Sequence, residues 1–408
     1  MVILALIFFL ILLIVSVTKK YWAPSVLILA LYAFSLMCSC LLLNIDGLSY
    51  IKYKEPDLIS TIVFCSFICA LIFPFMKHPP VIQRIDSPLF IKRFCVVGYV
   101  VSILLVIGCI LFLSKIQEAF AYGLLERRED MYKDIEVFTS YSFTEHIGNS
   151  VVRWLSGLDY AMMMMFFYAL AFIPQKKYLK ILLIVSSLSA TYMGLMNGGR
   201  THPIYWVMYF AFCLCVFWRY INSENKKLLL RVAGAFFVLI SSYFVFMTLL
   251  RVEGSDRGTD SFLLTYMGQP FLNFGDFFTN CDWHPYTLKR LTPLTYSIFY
   301  GRLDLDAYRD VIFTHTGMNI GIFYTLLGDI FVDVGFVGLL IYVIAYNRFA
   351  TKAMRYTYVT LPKLLIIGLY AQIVLHGLFY YSLYRMESTA CVILLLFICK
   401  YLNVGCRT

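Results

Sequence analysis

Arginines recur in the polar stretches between long apolar runs, and they are the residues of this chain best suited to bind phosphate. Arg200 follows two glycines in the turn NGGRTHP, Asn197–Pro203, and Arg257 lies beside Arg251 in LLRVEGSDRGTD, Leu249–Asp260. A guanidinium can hold two phosphate oxygens through parallel hydrogen bonds. We therefore predict that Arg200 and Arg257 bind an anion. The alternatives are a snorkelling arginine for the first and local ion pairs for the second.

A histidine near the end of the next polar stretch is a candidate proton acceptor. His315 lies in GRLDLDAYRDVIFTHTGMN, Gly301–Asn319, a few residues before an apolar run. Imidazole changes its protonation state near neutral pH, so a histidine at a membrane interface is suited to general base catalysis. The competing interpretation is a loop histidine without a chemical task.

Carboxylates also occur inside apolar runs, where they are costly and usually face a wet cavity or a partner. Asp329 and Asp333 are four residues apart and share one face of a helix. This pair could orient a catalytic arginine, act as a base or carry protons. The same run has glycines at every seventh position, at Gly321, Gly328 and Gly335. We interpret these glycines as a smooth stripe for close helix packing.

The composition places these residues in a membrane protein. Of 408 residues, 61% are hydrophobic and 14% are charged, whereas a soluble domain has about 25% charged residues. A soluble enzyme, a disordered protein and a secreted disulfide scaffold are therefore excluded. Most of the twelve cysteines lie in apolar runs and none has zinc spacing, so we expect no metal and no other cofactor.

Eleven apolar runs are each long enough, or nearly so, to cross about 30 Å of hydrocarbon. They lie at about 1–17, 22–43, 58–75, 94–113, 154–173, 179–196, 203–218, 228–250, 319–346, 362–380 and 387–401. The predicted fold class is an all-α polytopic transmembrane helical bundle. We expect about 11 spans, within a range of 10–12, in a single membrane domain over residues 1–408.

Charge predicts the orientation of the spans. Segments after the odd-numbered spans are rich in lysine and arginine and hold only two acids, Asp86 and Glu224. Short basic loops stay in the cytoplasm, so the N-terminus should face outward. The net charge of +10 is then a topology signal, and a nucleic-acid partner is not expected.

Two long loops fall on the outward side, at 114–153 and 251–318. Both are predicted to contain amphipathic helices at the membrane surface. The second loop includes SFLLTYMGQPFLNFGDFF, which is apolar but interrupted by Gly268, Pro270 and Gly275. This pattern predicts a re-entrant or interfacial segment. The main functional region should therefore face outward.

These features together resemble the O-antigen and oligosaccharide repeat-unit polymerases of bacterial inner membranes. The matching stretches are MNGGRTHP, Met196–Pro203; YMGQPFLNFGDF, Tyr266–Phe277; and NIGIFYTLLGDIFVDVGFVG, Asn319–Gly338. The layout is also similar, with ten to twelve spans, two large periplasmic loops and short cytoplasmic connections.

The resemblance implies a membrane glycosyltransferase with its active site facing the periplasm. It would join undecaprenyl-pyrophosphate-linked oligosaccharides into O-antigen or a similar surface polysaccharide, with undecaprenyl pyrophosphate as the leaving group. The implied partners are these lipid-linked substrates, the lipid bilayer, a chain-length regulator and other glycan-assembly proteins. No metal is required if arginine supplies the positive charge.

The resemblance also suggests roles for particular residues. Arg200 and Arg257 would hold the pyrophosphate, with Arg251 next, and His315 would be the base, with Asp276 a weaker candidate. Further candidates for substrate binding are Arg290, Arg302 and Tyr266. Residues that could stack on sugars besides Tyr266 are Phe271, Phe274 and Trp283. The supporting intramembrane acids are Asp159, Asp329 and Asp333.

Two other functions fit part of the pattern. A lipid-linked oligosaccharide flippase or another secondary transporter would explain the intramembrane acids as part of a pathway, although such transporters usually show two related halves. A membrane O-acyltransferase that modifies the same glycan is a third possibility. It would require a buried histidine and access to an acyl donor from the cytoplasm. The polar residues of this chain are predicted to lie mainly on the periplasmic side.

Overall fold

The computed structural model describes residues 1–44, 53–111, 113, 143–196, 201–253, 262–301 and 305–403. In the first half of the chain the helices are α1 Val2–Thr18, α2 Ala23–Asn44, α3 Leu58–Ile72, α4 Pro88–Leu111, α5 Phe143–Leu155, α6 Asp159–Phe172, α7 Lys177–Ser186 and α8 Ser189–Met196. In the second half they are α9 Thr201–Phe217, α10 Ser223–Glu253, α11 Phe262–Asn280, α12 Pro293–Tyr300, α13 Leu305–Thr316, α14 Thr325–Met354, α15 Leu361–His376 and α16 Met386–Asn403.

The remaining regular structure is short. Three 3-10 turns extend helices, at Phe73–Phe75, Ser156–Leu158 and Trp218–Tyr220. Strands β1 Val81–Ile82 and β2 Tyr358–Val359 form a two-stranded pair.

This architecture confirms the predicted all-α helical bundle. Eight helices within the described ranges are long and apolar enough to cross a membrane, and α1 and α15 are shorter apolar helices. The predicted run at 228–250 lies within α10. The protein is therefore a multi-pass membrane protein. The amphipathic helices predicted over most of the first loop fall largely in residues 114–142, which are outside the described part of the chain.

The helices form two compact units. The first contains Met1–Val81, Arg257–Val359 and Leu369–Thr389, and the second contains Ile82–Asp256, Thr360–Gly368 and Ala390–Thr408. The core of the second unit includes four consecutive buried methionines and the ring of Phe167, which packs 5.1 Å from Phe210 and 6.0 Å from Phe217. Ser102 and Ser186 share a hydrogen bond of 2.9 Å between their hydroxyls within this unit.

In the first unit, α11 packs closely against α2. A side chain added at Gly268 would lie 2.8 Å from backbone atoms of Cys38 and Ser39, so glycine permits this approach. The hydroxyls of Ser35 and Ser39 donate to the carbonyls of Met267 and Gly268 at 2.5 and 2.6 Å. The two helices are thus joined by packing and by hydrogen bonds.

The interruption predicted in α11 is absent, since one helix runs from Phe262 to Asn280 with Pro270 inside it. Proline removes a backbone donor and disturbs the carbonyls one turn earlier, and hydroxyls of a neighbouring helix can satisfy these groups. The two serines of α2 donate to the carbonyls of Met267 and Gly268, in the turn before Pro270. The rings of Phe271 and Phe274 lie 4.6 and 5.7 Å from the ring of Phe64, in the core. Both are almost fully buried, so the prediction that they stack on sugars is wrong.

The glycine stripe predicted in α14 is also wrong. Gly321 precedes the helix, and Gly335 is the site of a break with φ 66° and ψ −172°. Residues with a side chain rarely adopt this conformation. The residues from Thr325 to Gly335 are buried, whereas Phe336 is the first exposed one. Gly335 therefore divides α14 into a buried first part and a longer second part with an exposed apolar surface.

Candidate functional site

The first part of α14 carries the two acids that the sequence placed on one face. Asp329 and Asp333 are one turn apart and are 1% and 0% exposed. Both side chains bind the segment that contains Arg290. The shared face is confirmed, and the structure brings together three of the predicted site residues.

Asp333 holds this segment as an acceptor of several hydrogen bonds. Its Oδ2 accepts from the backbone N–H of Arg290 at 2.9 Å and of Leu291 at 3.4 Å. Its Oδ1 accepts from the hydroxyls of Thr287 at 3.1 Å and Tyr308 at 3.4 Å. Because all four partners donate, the carboxylate is committed to positioning this segment.

The same segment contains unusual backbone conformations. Tyr286 and Leu288 have φ values of 51° and 58°, which cost energy for residues with a β-carbon. The N–H of Tyr286 donates to the carbonyl of Asp333 at 3.0 Å. Asp333 thus fixes the strained segment through both its backbone and its side chain, and this conformation turns Arg290 into the protein.

Asp329 binds the Arg290 side chain directly. It forms a buried ion pair with Nη2 of Arg290, and its Oδ2 accepts from the backbone N–H of Tyr381 at 2.6 Å. The Nη2 atom of Arg290 also donates to the Tyr324 hydroxyl at 3.1 Å. Asp329 therefore links Arg290 to the chain between α15 and α16.

Arg290 is 6% exposed, and its side chain includes a buried donor without a partner among the described residues. Nε is buried without a hydrogen-bond partner in the part of the chain that the structure describes. Burial opposes the charged form, but the Asp329 carboxylate raises the pKa of Arg290 well above its ordinary value. Buried donors without a partner are rare in folded proteins. An anionic ligand that reached Arg290 would give this N–H the partner that it lacks.

A second guanidinium, that of Arg385, lies against the ring of Tyr384, which Arg290 also contacts. The carbon of the Arg290 guanidinium is 4.9 Å from the ring centroid of Tyr384, and that of Arg385 is 5.3 Å from the same centroid. Nε of Arg385 donates to the Tyr384 hydroxyl at 3.0 Å. The neighbouring Tyr384 phenol raises the pKa of Arg385 above its ordinary value. Arg385 is exposed, so a buried cation and an accessible cation are brought together.

Sequence reasoning missed Arg385 and Tyr384. They lie in SLYRME, a short polar connection between the last two apolar runs. The available signal was an arginine flanked by tyrosine on the same predicted outward side as the long loops. This connection is short, and the longer loops offered more candidate residues.

His315 lies at the end of α13 with its ring fixed on two sides. The ring stacks on Trp283, with centroids 4.1 Å apart and an angle of 13° between the planes. Nδ1 is 2.8 Å from the carbonyl oxygen of Val311. A carbonyl only accepts, so Nδ1 donates and Nε2 carries the lone pair in the neutral ring. The side chain is exposed, which suits a proton acceptor.

Tyr266 packs against aromatic rings, and Asp276 forms a hydrogen bond within its own helix. The Tyr266 ring packs 4.7 Å from Phe323 and 6.3 Å from Phe379, in an aromatic cluster. Asp276 accepts a hydrogen bond of 2.8 Å from Asn280 of the same helix. This hydrogen bond of Asp276 therefore lies within α11, and the ring of Tyr266 belongs to an aromatic cluster of the first unit.

The other predicted residues are not part of this cluster or cannot be described. Asp159 belongs to the second unit and accepts a hydrogen bond of 2.6 Å from the N–H of Tyr160 at the start of α6. Arg200, Arg257 and Arg302 lie outside the described residues, and Arg251 is in α10, where only its backbone is described.

Within the described ranges, no group of three His, Cys, Asp or Glu side chains could hold a metal ion. Comparison of the chain with protein-family models, curated proteins and solved structures finds no match.

Proposed function

We propose that this protein polymerises undecaprenyl-pyrophosphate-linked oligosaccharide repeat units into a surface polysaccharide such as O-antigen, at the periplasmic face of the bacterial inner membrane. The observation that carries the proposal is the Arg290 guanidinium, which is buried and fixed by two acids and has a free N–H beside a second arginine. A fixed cation of this kind is suited to a leaving group that gains negative charge.

The reaction is a glycosyl transfer. A hydroxyl oxygen of one lipid-linked unit attacks the anomeric carbon of the growing chain. The bond from this carbon to the pyrophosphate oxygen breaks, and undecaprenyl pyrophosphate leaves with the electron pair. The attacking hydroxyl loses its proton to a base.

Arg290 and Arg385 stabilise the departing pyrophosphate. Both guanidinium carbons lie near the Tyr384 ring, at 4.9 and 5.3 Å from its centroid. A fixed donor that faces developing charge in a water-poor site contributes about 2.7–4 kcal/mol to the lowering of the barrier. The assignments of Arg200, Arg257, Arg251 and Arg302 to pyrophosphate binding stay predictions from the sequence.

Arg290 is partly neutralised by Asp329, and this pairing is compatible with anion binding. The carboxylate engages Nη2 and leaves Nε free. A guanidinium that is already held in place loses little side-chain freedom when it binds a ligand. Asp329 and Asp333 are therefore positioning residues, and we assign neither of them as the base.

His315 is the proposed base. Its Nδ1 donates to a carbonyl and its Nε2 keeps the lone pair, on an exposed side chain whose ring stacks on Trp283. Such a base abstracts the proton of a sugar hydroxyl as the new bond forms. Trp283 keeps the ring in one orientation, so it is a second positioning residue.

A secondary transporter or flippase is the second candidate, and the break in α14 favours it. Transporters bind substrates where a span is discontinuous, and Gly335 interrupts α14 two residues after Asp333. In that function the acids and Arg290 would guide an anionic lipid-linked saccharide across the membrane without a change in its bonds. A membrane O-acyltransferase has no comparable observation in its favour.

Purified protein separates these functions directly. It is reconstituted into liposomes with a short undecaprenyl-pyrophosphate-linked repeat unit from a polysaccharide-producing host, and the products are resolved on a gel. We expect a ladder of longer lipid-linked glycans and released undecaprenyl pyrophosphate. Movement of intact substrate between leaflets, with no ladder, would support the transporter and reject the polymerase.

A matched pair of variants tests the site in the same assay. Arg290→Lys keeps a charge beside Asp329 but loses the fork of donors, so we expect ladder formation to fall by about 10²–10³-fold. Arg355→Ala removes an exposed arginine that also contacts a tyrosine, since its guanidinium lies 5.1 Å from the ring of Tyr356. Arg355 lies at the other end of α14, and its removal should leave the ladder unchanged. Full activity of Arg290→Lys would remove Arg290 from the proposed site.

A further inference from the structure

The short helix α12 carries an exposed apolar surface that no membrane span explains. Ile298, Phe299 and Tyr300 are 70%, 74% and 76% exposed. They are consecutive residues in the last turn of an eight-residue helix that ends at Gly301, which has φ 87°. Most other large exposed apolar residues lie on long apolar helices that face lipid, whereas α12 is too short to cross a bilayer.

The position of α12 relative to the membrane follows from its connection to α14. The second part of α14 exposes a series of large apolar side chains, namely Phe336, Val337, Leu340, Ile341 and Ile344. Its first part, from Thr325 to Gly335, is buried in protein. The surface of α14 that contacts hydrocarbon therefore begins immediately after Gly335.

The segment before α12 is bound at this same level. The N–H of Tyr286 donates to the carbonyl of Asp333, and the Tyr286 hydroxyl lies 3.3 Å from the position of a β-carbon at Gly335. The N–H of Arg290 donates to the Asp333 carboxylate. Since α12 starts at Pro293, only three residues after Arg290, it begins beside the end of the lipid-facing surface of α14.

The chemistry of α12 also fits an interface between water and lipid. Tyrosine combines an apolar ring with a polar hydroxyl and is enriched at this level, and lysine places its charge toward the headgroups. Nζ of Lys289 lies 4.9 Å from the ring centroid of Tyr296 and 5.4 Å from that of Tyr308. A basic group therefore lies against a tyrosine of α12, and the exposed apolar turn lies at the end of the same helix.

We propose that α12 lies in the interfacial layer of the bilayer, with Ile298, Phe299 and Tyr300 among the lipid headgroups and upper acyl chains. The bound partner is ordinary phospholipid. The contact holds the Arg290 segment at the membrane surface, because only two residues separate Arg290 from the helix. This inference does not depend on the proposed polymerase activity, since the ligand is not the substrate.

Site-specific photocrosslinking tests this placement in the full-length protein. The photoreactive residue p-benzoylphenylalanine replaces Phe299 in one variant, Ile341 of α14 in a second and Asp310 of α13 in a third. All three positions are exposed. Each variant is reconstituted into nanodiscs of phosphatidylethanolamine and phosphatidylglycerol and irradiated, and adducts are identified by mass spectrometry.

We expect phospholipid adducts at position 299 at a yield comparable with position 341 and about five-fold or more above position 310, because interfacial aromatic residues contact lipid continuously. A crosslink between two copies of the chain through position 299 would overturn the proposal and assign the surface to self-association. Adduct yields at 299 no higher than at 310 would also overturn it and place α12 in water. Arg290→Lys should leave the yield at 299 unchanged, which separates this result from the catalytic proposal.

Discussion

Arg290 and Asp333 are joined through the backbone of the arginine, because the Arg290 N–H donates to the Asp333 carboxylate at 2.9 Å. The Arg290 side chain is left to pair with Asp329 one turn earlier. The two acids of α14 therefore have different tasks: one fixes the segment that carries the arginine, and the other fixes the direction of its guanidinium.

The backbone contact predicts how the segment responds when Asp333 is changed. Asp333→Ala removes the acceptor of four hydrogen bonds, and each unpaired buried donor costs about 1–3 kcal/mol. We expect the strained segment around Tyr286 and Leu288 to open, which exposes Lys289 and Arg290 to trypsin. Cleavage after these residues, followed by mass spectrometry in detergent, measures the opening.

Two variants calibrate this measurement. Asp333→Asn keeps an oxygen for the backbone donors, and its amide can meet the hydroxyls of Thr287 and Tyr308, which are able to accept. Its cleavage should be intermediate. Asp276→Ala removes an acid whose hydrogen bond lies within α11, so its cleavage should match the unmodified protein. Equal cleavage in all variants would mean that Asp333 does not hold this segment.

The ion pair between Arg290 and Asp329 allows stability and activity to be separated. Arg290→Met alone leaves a buried carboxylate without its partner, which costs about 3–5 kcal/mol. Addition of Asp329→Asn removes this charge while its side-chain oxygen can still accept from the Tyr381 N–H. The double variant should therefore recover most of the thermal stability that the single variant loses.

Activity should not recover together with stability. Because the proposed reaction needs the guanidinium at the pyrophosphate, the folded double variant should form no ladder in the liposome assay. Thermal unfolding in detergent and gel analysis of products are the two measurements. Polymerisation by this double variant would contradict the role of Arg290 while leaving the structural role of the pair intact.

Much of the fold was predictable because it depends on local composition. Each of the eleven apolar runs lies largely within helix, since length and hydropathy are properties of a short stretch. The shared face of Asp329 and Asp333 was predictable for the same reason, because it follows from helical spacing.

Contacts between distant residues were not predictable in this way. Arg290 meets Asp329 across 39 positions, and no periodicity encodes that pairing. The polar connection that contains Arg385 is short, and its sequence does not indicate that it contacts Arg290. Pro270 was interpreted as a break because the serine donors that stabilise α11 belong to α2, more than two hundred residues away in sequence.

The predicted glycine stripe in α14 is wrong for another physical reason, which leads to a prediction for Gly335. Spacing identifies a helix face but not a backbone angle, and Gly335 has a positive φ. Gly335→Ala would force alanine into this conformation and place its β-carbon about 3.1 Å from Cδ2 of His284. We expect a loss of about 1–3 kcal/mol in stability, seen as a lower midpoint of thermal unfolding.

Gly234 provides the matched control for this substitution. It lies inside α10, and a β-carbon added there meets no atom within 4 Å. Gly234→Ala should therefore raise stability by about 0.5–1 kcal/mol, because alanine is the better helix former. Opposite signs for the two variants would support the conformational requirement at Gly335, and equal effects would argue against it.

The last prediction concerns His315 and its two nitrogens. Since Nδ1 donates to the Val311 carbonyl at 2.8 Å, Nε2 is the atom that can accept a proton from a sugar hydroxyl. His315→Gln should lower the rate of chain extension by about 10²–10⁴-fold at saturating substrate. Stability should hardly change, because the side chain is exposed.

His78→Gln is the corresponding control, since His78 is an exposed histidine beside an aromatic ring, with its centroid 6.2 Å from that of Tyr21. Its rate of chain extension should match that of the unmodified protein. Trp283→Leu should reduce the rate less than His315→Gln, because it removes the support of the ring and leaves the accepting nitrogen in place. If His315→Gln extends chains normally, the base is another residue and the stack on Trp283 is structural.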